Sequence, residues 1–387
     1  MHFKYQTGRR YDLDWLRIIA FSLLILYHIG MYYVTWDWHV KSAYAGTGLE
    51  PVMRLLNPWR LLLLFFISGL AARFMLDKVS GEDFAMLRLW RLFIPLFIGM
   101  QFVVAPQTYF QFLQAGLIEP GFWDFFAKYS DPDYVFKGTT TPTWNHLWYV
   151  AYLLVYSFIL VGIAPWLQML ANGPVGRLVV GLPNWVLALV LPLIPLLLTR
   201  FILTPHWPTS HNLIADWANH ASSFSMFLAG YLVAKSPAFW QAIHKMRICS
   251  LLIAIVLIVP LSLIWLDWDG FVTTYTEDSL QVFAARFARV AYAWIAIATI
   301  LGFAQIRLNK PGKVLGYLTS VIFPYYILHQ TLIIVIASFL APYQLAMAIE
   351  ITALIIGTIA GCVLLTEFVI ARVSLLRVCF GMQTKAD

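Results

Sequence analysis

DLDWLRIIAFSLLILYH, residues Asp12 to His28, is the stretch on which the fold turns. It opens polar, carries one arginine at Arg17, and then runs apolar to His28 with no glycine or proline to break a helix. With its flanks it reaches the roughly 20 apolar residues that a helix needs to cross a hydrocarbon core of about 30 Å. Working outward, runs of the same kind recur at roughly 15–35, 56–76, 89–112, 146–170, 184–203, 219–235, 248–266, 281–304, 316–340 and 345–369. Pro95, Pro106, Pro165, Pro192, Pro195, Pro260 and Pro324 fall in or near them. Neighbouring helices can satisfy the carbonyls that such prolines release. The pattern predicts an all-α polytopic integral membrane protein of about ten transmembrane helices.

Composition agrees. Hydrophobic residues make up 61% of the 387 and charged residues 12%, with a mean hydropathy of +0.75. Soluble domains run nearer half apolar and a quarter charged, so a soluble enzyme, a fibrous protein and a disordered chain are excluded. The net charge of +7 sits in short segments between apolar runs and forms no soluble patch, which argues against nucleic acid as a partner. Cys249, Cys362 and Cys379 are far apart in sequence and show no metal-ligand spacing, so neither a disulfide framework nor a metal site is expected. Lys4, Arg9 and Arg10 ahead of the first run mimic a signal peptide, but the run is too long for one and reads as a retained span. With the N-terminus cytoplasmic, 18 of the 26 Lys and Arg fall inside, which favours an N-in/C-in orientation. Residues 1–387 then form a single transmembrane domain whose longest external loop, about 113–145, suits a lid or an acceptor-binding surface.

An ionisable group inside a membrane is a functional hypothesis in its own right. Arg17 and His28 are about 20° apart around a helix and about 16 Å apart along it. One face thus carries a guanidinium near the cytoplasm and an imidazole deep in the membrane, with Asp14 beside the guanidinium. The pair reads either as a site or as a snorkelling arginine with a core histidine. Arg88 and Arg91 share a face at i, i+3, where they serve as a positive-inside anchor or as a rigid double fork for phosphate. Arg286 and Arg289 repeat the spacing at an external helix end and could meet an anionic acceptor or a lipid headgroup. His146, with Trp148 and Tyr149, opens the fourth span, and His329 lies inside the ninth near Tyr326. Glu367 is near the inner end of the tenth, and Ser68 precedes Gly69 in a stretch suited to close helix packing. His39 is an external candidate on the acceptor side.

Together these motifs resemble acyltransferase family 3, membrane-bound O-acyltransferases of extracytoplasmic glycans. The resemblance rests on LDWLR with an Arg, ten residues and a His; on FFISGL (65–70), RLWRLFIP (88–95), HLWYV (146–150) and YYILHQ (325–330); and on Glu367 in TEFVIARVSLLR. YHIGMYY (27–33) and TWDWHVKS (35–42) look like the glucan biosynthesis protein C branch, a succinyltransferase branch. The resemblance implies a bacterial inner-membrane enzyme with no permanently bound cofactor. Its donor would be cytoplasmic acyl-CoA, acetyl or succinyl, and its acceptor a periplasmic or extracellular glucan or other polysaccharide. Arg17, Arg88 and Arg91 carry over as residues near the CoA phosphates and His28 as the catalytic histidine. Asp14, Ser68, His146, Trp148, Tyr149, Tyr326, His329 and Glu367 carry over as pocket residues. In that scheme neutral His28 acts as general base on a sugar hydroxyl, with a covalent acyl-histidine as a variant. Lipids are expected partners and an oligomer is compatible. The rival reading is a transporter or channel whose path is lined by the same buried His and Arg residues.

Overall fold

The computed structural model describes residues 9–131, 133–136 and 139–383. Among the described residues, nine helices are long and apolar enough to cross a membrane: Tyr11–Tyr33, Thr47–Leu76, Gly81–Gln114, Asn145–Asn172, Val186–Leu203, Pro237–Leu266, Leu280–Arg307, Lys313–Tyr343 and Met347–Arg372. The remaining expected span is the helix Trp217–Val233, of 17 residues, just short of that length. In chain order these ten are called spans one to ten, with Trp217–Val233 as span six. The chain is a multi-pass, all-α membrane protein, and the expected count of about ten holds with one short member.

Span seven begins at Pro237, well before the apolar run that announced it. Ser236 caps it by accepting from the Phe239 amide, and Pro237 occupies the first turn, where its missing N–H is harmless. Gln241, His244, Lys245 and Arg247 hide that first part of the helix from a hydropathy scan. Four of the widened helical turns also have a sequence cause. Widened turns, in which a carbonyl accepts from the amide five residues on, at Leu89–Phe93, Gly99–Val103, Val186–Val190 and Thr199–Leu203 each lie just before a proline, at 95, 106, 192 and 205. A proline clashes with the carbonyl four residues back and offers it no donor. In these turns a carbonyl accepts from the amide five residues on, as in Leu191 N–H to Val186 O at 2.9 Å and Thr204 N–H to Thr199 O at 2.9 Å, while the carbonyl that Pro192 cannot serve, that of Ala188, is taken by the Trp294 indole at 2.9 Å.

The contacts group into two compact units. The first comprises residues up to Ala20, Pro51–Ala85 and Val155–Leu315. In it spans two and six cross at glycine: a Cβ on Gly69 would lie 1.8 Å from the Phe227 carbonyl oxygen, and one on Gly230 would lie 2.0 Å from that of Phe66. Only glycine admits that approach, so FFISGL is read here as a packing seam. Spans seven and eight close in the same way at Gly302, where a Cβ would lie 2.7 Å from the Arg247 Cβ. Trp294 of span eight donates to the Ala188 carbonyl of span five at 2.9 Å.

The second unit comprises Phe21–Glu50, Met86–Leu154 and Gly316 onward. Span ten packs on span nine through Gly357 against Ile336 and Gly361 against Leu332. The connection between spans three and four carries a short helix, Phe122–Tyr129, and a two-stranded ribbon pairing Val135 with Thr140 and Phe136 with Thr139. Tyr109, Phe112, Phe125, Tyr129 and Phe136 gather its buried side into one aromatic cluster. Tyr129 fastens it by donating to the Met100 carbonyl at 2.7 Å.

Candidate active site

The second unit brings three histidines together from three spans. Span one places His28, span nine places His329, and the start of span four places His146. His28 Nδ1 lies 2.8 Å from His329 Nε2, and the two rings are parallel within 2° at a centroid distance of 5.0 Å. His329 is fully buried, and its Nδ1 lies 2.5 Å from the Tyr326 carbonyl oxygen one turn back. His146 stands edge-on to both, 6.5 Å from His28 and 5.1 Å from His329 between ring centroids.

His146 is held by its own bonds. Its Nε2 is 3.1 Å from the Ile327 carbonyl and its Nδ1 is 3.3 Å from Gln107 Nε2. Since Gln107 donates there, the proton on His146 belongs to Nε2 and goes to Ile327. Tyr326 donates to the main-chain carbonyl of His146 at 2.5 Å, tying spans nine and four at the level of the rings. Tyr149 and Phe21 pack their rings against Tyr326, at 6.2 and 5.0 Å, while Trp148 packs on Tyr152 at 5.0 Å. His28 Nδ1 and both ring nitrogens of His329 and His146 are engaged with one another, with main-chain carbonyls or with Gln107. Among the described residues, no group of three or more His, Cys, Asp or Glu has the arrangement of a metal site.

Gln107 is the hub behind this cluster. Its amide oxygen accepts from Asn145 Nδ2 at 3.1 Å and Gln330 Nε2 at 2.9 Å. Its amide nitrogen donates to Thr331 Oγ1 at 2.7 Å and to His146. Two donors and two acceptors are all that a glutamine amide has, and all four are used. Gln107, Gln111 and Gln114 follow at i, i+4 and i+7 on span three. Gln111 pairs with His39 Nδ1 at 2.6 Å, while Gln114 accepts from the Lys41 amide at 2.9 Å and donates to the Lys41 carbonyl at 3.0 Å. This stripe of amides in an apolar helix was the sequence signal for a polar centre, and the motif reading passed over it.

The segment after span one folds back and is fastened at several points. Lys41 Nζ donates to the carbonyls of Met31 and Val34, each at 2.8 Å, and to that of Trp36, so it caps the C-terminal end of span one. Burial lowers the Lys41 pKa, opposed by the nearby carboxylates of Asp37 and Glu50. His39 is likewise pushed below its ordinary value by burial, opposed by its bond to Gln111. Glu350, buried at the start of span ten, accepts from Tyr33 at 2.8 Å and Ser42 at 2.9 Å, with Tyr32 at 3.4 Å. Glu350 and Glu50 are buried acids that the sequence reading left unremarked.

The other expected site residues are distributed as follows. Arg17 shares span one with His28, and its guanidinium lies 3.7 Å from Asp14 Oδ1. Asp14 also receives Arg9 at 2.8 Å, so it is an ion-pair partner of arginines. Arg88 is half-buried in span three and Arg91 is exposed. Glu367 accepts the Tyr317 hydroxyl at 2.8 Å, and that hydroxyl lies 3.1 Å from Tyr325 Oη. Arg372 donates to the main-chain carbonyl of Glu367 at 3.3 Å. Ser68 borders the Gly69 crossing in the first unit. In that unit too, Arg286 is paired with Glu277, and Arg289 donates to Asn57 Oδ1 at 3.2 Å. The structure thus gathers His28, His329, His146, Tyr326 and Tyr149 into one cluster and places Glu367 elsewhere in the same unit, in a tyrosine chain.

The family described as acyltransferase domain matches residues 10–367. Among curated proteins, glucans biosynthesis protein C of Salmonella typhi and of Salmonella typhimurium are each 26% identical to the chain over 163 residues, 41% of this chain and 40% of theirs. The chain therefore spans less than half of the length of these relatives. No solved structure matches it.

Proposed function

The chain belongs to acyltransferase family 3, and we propose that it moves an acyl group, acetyl or succinyl, from cytoplasmic acyl-CoA to a hydroxyl of a glucan-type carbohydrate on the far side of a bacterial inner membrane. The family membership makes it an acyltransferase. The glucan acceptor is drawn from the names of its relatives. The observation that carries the chemistry is the His28–His329 contact of 2.8 Å inside membrane-spanning helices. A base held in place by a second group suits acyl transfer to an alcohol.

In the reaction, His28 takes the proton of the acceptor hydroxyl as its oxygen attacks the thioester carbon. The C–S bond then breaks, and His28 returns the proton to the departing CoA sulfur. Arg17, Arg88 and Arg91 hold the CoA phosphates, because a charged nucleotide cannot enter lipid whereas the slim pantetheine arm can. The positive-inside bias of Lys and Arg supports a cytoplasmic position for these arginines. Tyr326 and Tyr149 supply an aromatic wall beside the histidines.

The test is a thiol-release assay on purified, reconstituted protein, with acetyl-CoA and succinyl-CoA as donors and a panel of glucans as acceptors. Acceptor-dependent release of CoA thiol supports the proposal. Flux of a solute with no thiol release would instead support a transporter.

A further inference from the structure

We infer that His329 is a positioning residue that fixes the tautomer of His28 and shares its charge; the inference rests on the reading of His28 as the base. His329 Nδ1 faces the Tyr326 carbonyl oxygen at 2.5 Å. A carbonyl oxygen can only accept, so His329 Nδ1 carries the hydrogen. A neutral imidazole has one N–H, so His329 Nε2 holds a lone pair. The proton in the 2.8 Å contact is therefore given by His28 Nδ1. That makes His28 the Nδ1–H tautomer, with its own lone pair on Nε2, and Nε2 is the atom that takes the acceptor's proton.

The ring geometry agrees. The centroid separation of 5.0 Å is roughly the N···N distance plus two ring radii, and the planes are parallel within 2°. The hydrogen bond therefore runs in the plane of both rings, along the lone-pair direction. Face-to-face stacking would not bring those two nitrogens to 2.8 Å at this centroid distance.

The same contact acts during the reaction. When the hydroxyl proton reaches His28 Nε2, His28 becomes an imidazolium whose Nδ1–H points at a neutral acceptor. A hydrogen bond with one ionised partner is roughly twice as strong as a neutral one, so the contact tightens as charge develops. When the C–S bond breaks, the proton leaves Nε2 for the CoA sulfur and both rings return to their starting tautomers. No proton is gained or lost by the pair. His329 thus plays toward His28 the part that a buried carboxylate plays in a hydrolytic triad, without adding a charge to the membrane interior.

The experiment compares His329→Leu with His329→Gln, whose amide oxygen can reach the position of His329 Nε2. His329→Leu should lower kcat at least about 100-fold while acyl-CoA affinity stays within about threefold, and His329→Gln should recover at least about tenfold of that loss. Equal loss in both variants, or loss of donor affinity, would overturn the inference. Nitrogen-15 NMR of histidine-labelled wild-type protein, with His28 assigned by its absence in His28→Gln, gives a second reading that does not depend on the folding of either His329 variant. It should show His28 protonated at Nδ1 and bare at Nε2, and the opposite pattern overturns the inference. If His28→Ala still transfers acyl groups while the wild-type nitrogen pattern holds, the assignment of His28 as base fails and the tautomer assignment survives.

Discussion

Gln107 spends every donor and acceptor of its amide, and that completeness makes the histidine cluster rigid. A buried polar network is stabilising only when each member is satisfied. Gln107→Leu strips a donor from His146 and from Thr331 and an acceptor from Asn145 and Gln330. Each orphaned group costs about 1–3 kcal/mol, so the variant should lose several kcal/mol of stability, read as a drop of many degrees in the melting temperature of the detergent-solubilised protein. A change of a degree or two would mean that the hub is not a structural keystone. At the opposite end of the proposed donor path, Arg88→Ala and Arg91→Ala should each weaken acyl-CoA binding about tenfold or more, through loss of charge-assisted contacts to phosphate. Unchanged affinity in both would remove them from the donor site. His28, His146 and His329 were legible in the sequence because ionisable residues within apolar runs stand out. Gln107 and Asn145 were not, since neutral amides barely disturb a hydropathy scan and their partners lie far apart in sequence.

Among the elements, the seam between spans two and six is set by two glycines. With a Cβ on Gly69 falling 1.8 Å from the Phe227 carbonyl oxygen, Gly69→Ala must push the helices apart. The expected loss is about 1–3 kcal/mol in thermal unfolding, with little change in donor affinity. The folded-back segment after span one carries a pH dependence. Burial holds His39 below its ordinary 6.5, so below that pH the opened segment binds a proton that the closed one does not. Stability of the closed form should therefore fall as pH drops from about 7 to about 5.5. Hydrogen exchange over residues 34–46 should speed up across that interval and lose most of this dependence in His39→Gln, while Asp37, Glu50, Glu350 and Lys41 remain. A pH response that is the same in wild type and variant would assign the effect to those neighbours. Apolar length announced most of the spans; the start of span seven was hidden by its Gln, His, Lys and Arg residues. The prolines signalled irregular helix without saying that the irregularity takes the form of widened turns.

For the molecule as a whole, composition alone decided the class, because so apolar a chain has no polar exterior to offer water. The grouping of contacts into two units, each assembled from separated stretches of chain, was not legible, since it depends on which helix faces meet. The proposed orientation rests on the Lys and Arg census and has its own test. On a cysteine-free background, an impermeant maleimide added to intact cells should label Thr209→Cys in the connection after span five and spare Gly312→Cys in the connection after span eight. The reverse pattern would invert the proposed route from donor to acceptor. The most direct trial of the central claim separates chemistry from binding at one side chain. In reconstituted His28→Ala, radiolabelled acyl transfer to a glucan should fall by at least about 100-fold while acyl-CoA binds as it does to wild type. Transfer persisting near the wild-type rate would contradict the account.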